Sequence, residues 1–294
     1  MAAVVLDIGG TAIKSGIYEN GALSQIRETA TQAASGGAHV VNRAKEIIAG
    51  YREICDFDRI GISTAGQTNP VKGTIIYANE NIPGYTGTKL KEIMEQEFHV
   101  PAAVENDVNA AAIGEASFGA GKDRDDFVCL TYGTGVGGAV FTDGKLYSGS
   151  SYSAGEFGGI IVHPEDRDVS KDMFSGCYER YASATALVKS AKELHPSLSD
   201  GRVIFEHLSE PEVQKIIDRW IMEVVYGLIT IVHILNPSCV ILGGGVMEQS
   251  YVLQQVQNKL YQNIMPSFGH VEIKKAELGN RAGMLGAAIL NSVH

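Results

Sequence analysis

Residues 4–22, VVLDIGGTAIKSGIYENGA, open with an apolar run that ends on Asp7 and a Gly-Gly-Thr loop. Beyond the loop the pattern has a period of two. Ile13, Ser15 and Ile17 alternate with Lys14, Gly16 and Tyr18, which predicts a strand. Asn20-Gly21 then supplies a hairpin turn, and ALSQIRETA reads as the returning strand. Dinucleotide-binding and P-loop glycine loops open a helix, and neither GxGxxG nor GxxxxGK[ST] occurs in this stretch.

The same device returns at residues 127–149, FVCLTYGTGVGGAVFTDGKLYSG: an apolar strand, a Gly/Thr loop, a second apolar strand and Asp143-Gly144 as a turn. Leu6 and Leu130 occupy equivalent places, and the turns follow them at spacings that differ by one residue. The repetition reads as a duplicated domain; the alternative is that any hairpin needs glycine at its turns. Between the hairpins, helical spacing over 38–54, a buried strand in RIGISTAG, a short helix in KLKEIMEQEF, and a strand in VPAAVEND leading into the helix VNAAAIGEASFG alternate as in an α/β layer. In the second half, YASATALVKSAKEL and PEVQKIIDRWIMEVVYGLITIVHIL read as helices, PSCVILGGGV as a strand entering a glycine turn, and RAGMLGAAILNSV as a closing helix whose small residues permit close packing. TNPVKGT and HPEDRDVSKD read as loops.

A length of 294 residues favours two domains. Hydrophobic content of 45% with 20% charged residues fits a globular protein, no apolar run is long enough to span a bilayer, and no secretory leader is visible. The net charge of −10 disfavours nucleic acid as a partner. Cys55, Cys129, Cys177 and Cys239 lie far apart, so neither a disulfide framework nor a cysteine-only zinc site is expected, and a cytoplasmic location fits.

Phosphoryl transfer needs donors to the phosphates, a carboxylate for Mg²⁺ and a base that orients the attacking hydroxyl. Gly9 and Gly10 let backbone N–H groups approach phosphate oxygens, Thr11 adds a hydroxyl and Lys14 a charge. Asp7 is the candidate Mg²⁺ residue, acting through water; the alternative is a strand-end acid satisfying local N–H groups. Gly133, Thr134, Gly135, Val136, Gly137 and Gly138 form a second candidate phosphate loop. The candidate base is Asp107, where a strand becomes a helix and ligands favour the strand's carboxyl end; the competing role is that of helix N-cap. Asn106 beside it suits hydroxyl recognition. Glu156 and Glu179 lie in glycine-bearing stretches, where acids are either solvated or functional.

Taken in order, DIGGTAIK, STAGQ…GTI…NENIPGY, ENDVNAAAIGE, LTYGTGVGGAV, GEFGG and VILGGG resemble the ROK family of sugar kinases and repressors, within the actin-like, hexokinase-type ATPase fold. The resemblance implies an α/β chain of two RNase-H-like domains with a cleft between them, residues 1–115 completed by the C-terminal helix at about 281–294, and residues 116–280. It implies ATP and Mg²⁺ as cofactors, with Asp7, Gly9, Gly10, Thr11, Lys14, Gly133, Thr134, Gly135, Gly137 and Gly138 at the phosphates and Gly243, Gly244 and Gly245 by the nucleoside. It implies Asn81, Asn106, Asp107, Glu156 and Glu179 at the sugar, Asp107 as the base that activates a C6 hydroxyl, and a homodimer with no nucleic-acid or membrane partner.

One departure is informative. Relatives carry GE-x-GH and then C-x-C-G-x-x-G-C, which hold a structural zinc. Here the His position is Gly159 and the first two Cys positions are Ser170 and Asp172, leaving Cys177. No structural zinc is expected, because one thiolate cannot hold the metal and His163 does not replace the missing sulfurs. Gly159 also removes a contact near the anomeric end, so the expected acceptor is a β-glucoside of the cellobiose or gentiobiose type, or glucose. The alternatives are an N-acetylmannosamine kinase and a non-catalytic sugar-sensing regulator. Repressors of the family carry a DNA-binding extension ahead of the core, and none is expected where the phosphate loop begins at residue 7.

Overall fold

The computed structural model describes residues 2–290. They fall into two compact units: residues 2–122, 148–154 and 278–290, and residues 123–147 with 155–277. The boundary expected after residue 115 would cut a helix that runs to Phe118.

In the first unit, β1 (Ala3–Ile8), β2 (Ala12–Glu19), β3 (Ala22–Ala30), β4 (Arg59–Thr64) and, after a small hairpin described below, β7 (Ala102–Asn106) form a five-stranded sheet in the order β3-β2-β1-β4-β7. β1 runs antiparallel to β2 and parallel to β4, and β4 is parallel to β7. The apolar run of β1 is buried along its length because it is interior to the sheet. β3 is an exposed edge strand, consistent with its polar sequence. The β2–β3 turn places Asn20 and Gly21 at φ of 51° and 82°, as a tight hairpin requires. Helices α1 (Gly37–Arg52), α2 (Leu90–Phe98) and α3 (Asp107–Phe118) flank the strands in sequence.

TNPVKGT, expected to be a loop, is the centre of a hairpin formed by β5 (Gln67–Asn69) and β6 (Thr74–Tyr77). These strands are too short to show a period.

The second unit repeats the first. β8 (Phe127–Tyr132), β9 (Val136–Thr142), β10 (Lys145–Leu146), β11 (Cys239–Gly243) and β12 (Glu272–Lys275) form a five-stranded sheet in the order β10-β9-β8-β11-β12. The antiparallel pair β8–β9 and the parallel partners β11 and β12 match the first sheet strand for strand. Leu6 pairs with Ser15 and Leu130 with Gly138, in corresponding places of their hairpins. The shared strand order supports duplication over a coincidence of turn glycines.

The helices of this unit are α4 (Glu179–Ala182), α5 (Ala184–Leu194), α6 (Gly201–Glu206), α7 (Pro211–Leu235) and α8 (Ser250–Asn263). The single helix expected from Tyr181 is interrupted, because Ser183 adopts an extended conformation and its hydroxyl accepts from the Ala186 N–H at 3.2 Å, capping α5. In α7, Pro211 sits in the first turn and Asn236 ends the helix at φ 48°. Its buried stripe, with Ile217, Trp220, Val224, Leu228 and Ile231, packs into the core of the unit.

The chain closes on the first unit with α9 (Ala282–Ile289). The expected closing helix also covered residues 291–294, which lie outside the described set. α9 approaches its neighbours at backbone distance. A Cβ on Gly286 would overlap the Ala110 carbonyl of α3, and one on Gly61 of β4 would overlap the Ala287 carbonyl.

Candidate active site

In the first unit the functional side chains gather at the carboxyl ends of β1, β4 and β7, where the strand direction and a helix start leave polar groups pointing out of the sheet. Asp7 is paired across the hairpin with Lys14 and along β4 with Ser63. The Ser63 hydroxyl donates to Asp7 Oδ1 at 2.7 Å. On a third side is Gly283 of α9, where a Cβ would come within 2.8 Å of the carboxylate. Burial pushes the Asp7 carboxyl up; the Ser63 hydrogen bond and the Lys14 charge oppose it.

The glycine loop beyond Asp7 is tied down by Thr31. Its hydroxyl donates to the Gly9 carbonyl at 2.7 Å, and its N–H donates to the Thr11 carbonyl at 2.9 Å. Gly9 N–H is spent on the Ala12 carbonyl at 3.0 Å. Among the described residues no carbonyl or side chain accepts from the N–H groups of Gly10 and Thr11, both exposed. Those two donors, with the Thr11 hydroxyl beside them, can receive an anion.

Asp107 is the first residue of α3, and the N-cap is Asn106, whose Oδ1 accepts from Val108 and Asn109 N–H at 3.0 and 3.1 Å. The capping role weighed for Asp107 therefore falls to its neighbour. The Asn106 amide donates to the Gly66 carbonyl at 3.0 Å and to Asp107 Oδ1 at 2.9 Å. Both donors and both acceptor sites of Asn106 are thus engaged within the protein, and the side chain expected at the sugar hydroxyls holds Asp107. Asp107 Oδ1 also accepts from Val108 N–H at 2.9 Å. Burial and then the nearby Asp7 charge push the Asp107 carboxyl up to about 7. A carboxylate poised there can accept a proton from an alcohol at neutral pH. Glu105, 1% exposed, takes Asn106 N–H and the Asn109 amide on Oε1 at 2.8 and 3.1 Å and so fixes the strand-to-helix junction. Asn81 lies in an exposed turn outside this hydrogen-bonded set, with its N–H held by Asn79 Oδ1 at 3.1 Å.

The Asp7 carboxylate, with the Ser63 hydroxyl beside it, offers oxygen donors that suit a hard cation such as Mg²⁺, which takes one or two carboxylates and completes its shell with water and phosphate oxygens. A cation there would also relieve the repulsion between Asp7 and Asp107. Among the described residues no group of three or more His, Cys, Asp or Glu side chains could enclose a metal by itself.

In the second unit the loop Gly133–Gly135 joins β8 to β9. Gly133 N–H is used on the Gly135 carbonyl at 3.0 Å, while no described group accepts from Thr134 or Gly135 N–H. Gly137 and Gly138, expected in the phosphate loop, are inside β9, paired with Thr131 and Leu130. Gly138 makes room for the Phe157 ring and the Gly155 carbonyl, which is a packing requirement. Gly243 ends β11 opposite Thr131, and Gly244, at φ 105°, packs its α-carbon against the Tyr132 carbonyl. The Gly243–Gly245 turn is thereby set beside the second loop.

Glu179, which opens α4, is partly buried beneath that loop: a Cβ on Gly135 would approach its Oε2 to 2.6 Å. Burial raises the Glu179 carboxyl, Arg180 and the Val136 amide oppose this, and Asp172 and Glu156 add to it. Glu156, exposed on its loop, is thus near enough for its charge to be felt. At Gly159 a Cβ would meet nothing within 4 Å. A recess of about 320 Å³ is lined by Thr134, Glu179, Arg180, Ser183, Thr185 and Lys189, among others.

The positions compared above with zinc ligands hold other contacts. Ser170 donates its hydroxyl to Asp168 at 2.6 Å, Asp172 pairs with Arg180 at 2.6 Å, and Cys177 Sγ is 3.4 Å from an Arg167 nitrogen. Both His163 ring nitrogens meet carboxylates, Glu165 at 3.0 Å and Glu223 at 2.8 Å.

Sequence reasoning missed Ser63, Thr31, Gly283 and Arg180. Ser63 carried a weak signal, as a polar residue at the end of an apolar strand; the others depend on contacts distant in sequence.

A family model described as ROK family matches residues 3–293. An uncharacterised protein of Clostridium perfringens is 40% identical, over 96% of this chain and 95% of its own length. A β-glucoside kinase of Listeria innocua is 30% identical over 98% of this chain and 96% of its own. The solved structure of a ROK family glucokinase from Streptomyces griseus, in complex with glucose and AMPPNP, superposes with a TM-score of 0.85 at 31% identity, covering 99% of both chains. The two repeated units are of the actin-like ATPase type that this neighbour displays. Among the described residues no helix is long and apolar enough to cross a membrane.

Proposed function

Because this chain belongs to the ROK family, we propose that it is an ATP-dependent sugar kinase that phosphorylates the C6 hydroxyl of a hexose unit, with a β-glucoside as acceptor. The observation that carries the reading is Asp107: a half-buried carboxylate at a helix start, its pKa raised to about 7 by burial and by Asp7, and held by Asn106. In the proposed reaction Asp107 accepts the proton of the attacking hydroxyl. The amides of Gly10, Thr11, Thr134 and Gly135 donate to phosphate oxygens, and Lys14 adds positive charge. Asp7 would hold Mg²⁺, and the cation would supply neutralisation of phosphate charge. The Gly243–Gly245 turn takes the nucleoside. Glu156 and Glu179 accept from sugar hydroxyls, with Asn81 as a further contact. Catalysis rests on positioning and charge, since the reaction needs no covalent enzyme intermediate.

The open space at Gly159 supports a substituted anomeric carbon and hence a β-glucoside over free glucose. Glucose is the second reading, favoured by the glucokinase neighbour with glucose bound. A panel of cellobiose, gentiobiose, glucose and N-acetylmannosamine with Mg·ATP, reading ADP release and the position of the new phosphate, tests both. The expected result is a higher kcat/KM for the disaccharides than for glucose. Strong preference for the free N-acetyl sugar would end the β-glucoside assignment. Gly159→His is expected to lower kcat/KM for cellobiose at least about tenfold more than for glucose, since a ring placed in that space is worth about 1–3 kcal/mol of discrimination. Equal losses on both sugars would show that Gly159 does not set acceptor size.

A further inference from the structure

Arg180 is gripped by more groups than an ordinary surface arginine. Its Nε and Nη2 donate to the two oxygens of Asp172 at 2.6 and 3.0 Å, a bidentate fork. Its guanidinium carbon lies 5.6 Å from the centre of the Phe174 ring. The remaining nitrogen, Nη1, is 3.1 Å from Glu179 Oε1. The other oxygen of Glu179 faces away from Arg180, towards the α-carbons of Gly135 and Gly158, where a Cβ would stand 2.6 and 3.1 Å from it. The Val136 amide, at the exit of the loop, also favours the ionised carboxylate. Asp172, Arg180, Glu179 and the Gly133–Gly135 loop therefore form one continuous chain of charge and contact, all within the second unit.

We propose that Arg180 is a positioning residue: anchored by Asp172, it holds the Glu179 carboxylate against the second phosphate loop, so that sugar recognition and phosphate binding in this unit are set by one ion-pair chain. The proposal rests on the assignment of Glu179 to the sugar and of the loop to the phosphates.

The groups that act on Glu179 come from several segments. Arg180 on its own helix and the Val136 amide favour the ionised form; Asp172 and Glu156 on neighbouring loops disfavour it, as does burial, the largest influence. Asp166 and Lys189 line the same recess. Removing Arg180 strips away the one cation in direct contact among the described residues and leaves the acids. Lysine keeps the charge and loses the fork. The Arg180 side chain is 45% exposed, so its ion pairs add little to folding, and the consequence of its loss falls on the geometry of Glu179 and the loop.

The test compares the full-length protein with Arg180→Met and Arg180→Lys. Carboxyl ¹³C titration, with the Glu179 signal assigned through Glu179→Gln, reads the charge state without turnover. The expected result for Arg180→Met is a Glu179 pKa above that of the wild type, a melting temperature within about 2 °C, and KM values for sugar and ATP that both rise roughly tenfold while kcat changes less. Arg180→Lys should recover at least half of the pKa change and of the KM change, each on a logarithmic scale. Wild-type KM values in Arg180→Met, or a Glu179 that titrates as before, would overturn the proposal. So would a loss of activity that follows a fall in melting temperature and is not relieved by lysine. A wild-type protein that phosphorylates no sugar in the panel would refute the kinase reading instead, and the Glu179 titration would still decide whether Arg180 holds that carboxylate.

Discussion

Asp107→Asn is expected to lower turnover by about 10²–10⁴-fold while changing sugar affinity by less than about threefold. The amide oxygen of an asparagine can accept from Val108 N–H and from the Asn106 amide, as Asp107 Oδ1 does now at 2.9 Å from each. Asn106 continues to cap α3, so the helix start is preserved. What is lost is the ability to take a proton, and the full cost appears in the chemical step. Initial rates of ADP release in a coupled assay, paired with calorimetric titration of the sugar, measure the two quantities separately. A sugar-sensing protein without catalysis would bind equally well with either residue and show no turnover to lose. Retained turnover with normal binding would remove Asp107 from the role of base.

Gly286→Val is expected to destabilise the first unit by about 3 kcal/mol or more, at the upper end of the cost of overpacking. A Cβ at this position would overlap the carbonyl of Ala110, and a backbone group inside α3 cannot step aside as a flexible side chain can. The expected signature is a melting temperature lower by roughly 6–12 °C or a protein recovered largely insoluble. α3 begins with Asp107, and α9 also carries Gly283, which lies against Asp7. Displacing α9 should therefore reduce activity in whatever fraction remains folded. Gly159→Ala is the control, because a methyl group there meets open space, and its melting temperature should stay within about 1 °C of the wild type. A Gly286→Val protein with wild-type stability would mean that the two helices are not in backbone contact.

Much of this architecture is legible in the sequence where local rules and tertiary structure agree. Both hairpins, their Gly/Thr loops and their distal turns could be read because strand period and turn chemistry point the same way in ENG and TDG. α8 escaped notice because its buried positions, Val252, Val256 and Leu260, form a narrow stripe among glutamines. β12 escaped because its sequence, EIKK, is that of a polar edge strand. The site shows the same division. Asp7 and Asp107 stand out from the ends of apolar strands, but the hold of Asn106 on Asp107 is braced by the Gly66 carbonyl some forty residues earlier. Gly137 and Gly138 looked like loop residues because glycine marks both turns and close packing, and the Phe157 ring that demands Gly138 lies beyond the hairpin. Thr31 and Arg180 carry no local signal, since each acts through partners that only the fold supplies.

The central claim, that Asp107 receives the proton of the attacking hydroxyl, is tested most directly by the pH dependence of kcat/KM for the sugar under saturating Mg·ATP. The base must be ionised to act, so activity is gained as pH rises through its pKa and lost below it. Burial, the larger cause of the raised Asp107 carboxyl, persists when Mg²⁺ offsets the Asp7 charge, so the expected rate falls about tenfold per pH unit below an ionisation that lies well above the ordinary carboxylate value and no higher than about 7. A profile that stays flat down to about pH 5, with its limb at an ordinary carboxylate value near 4, would contradict it.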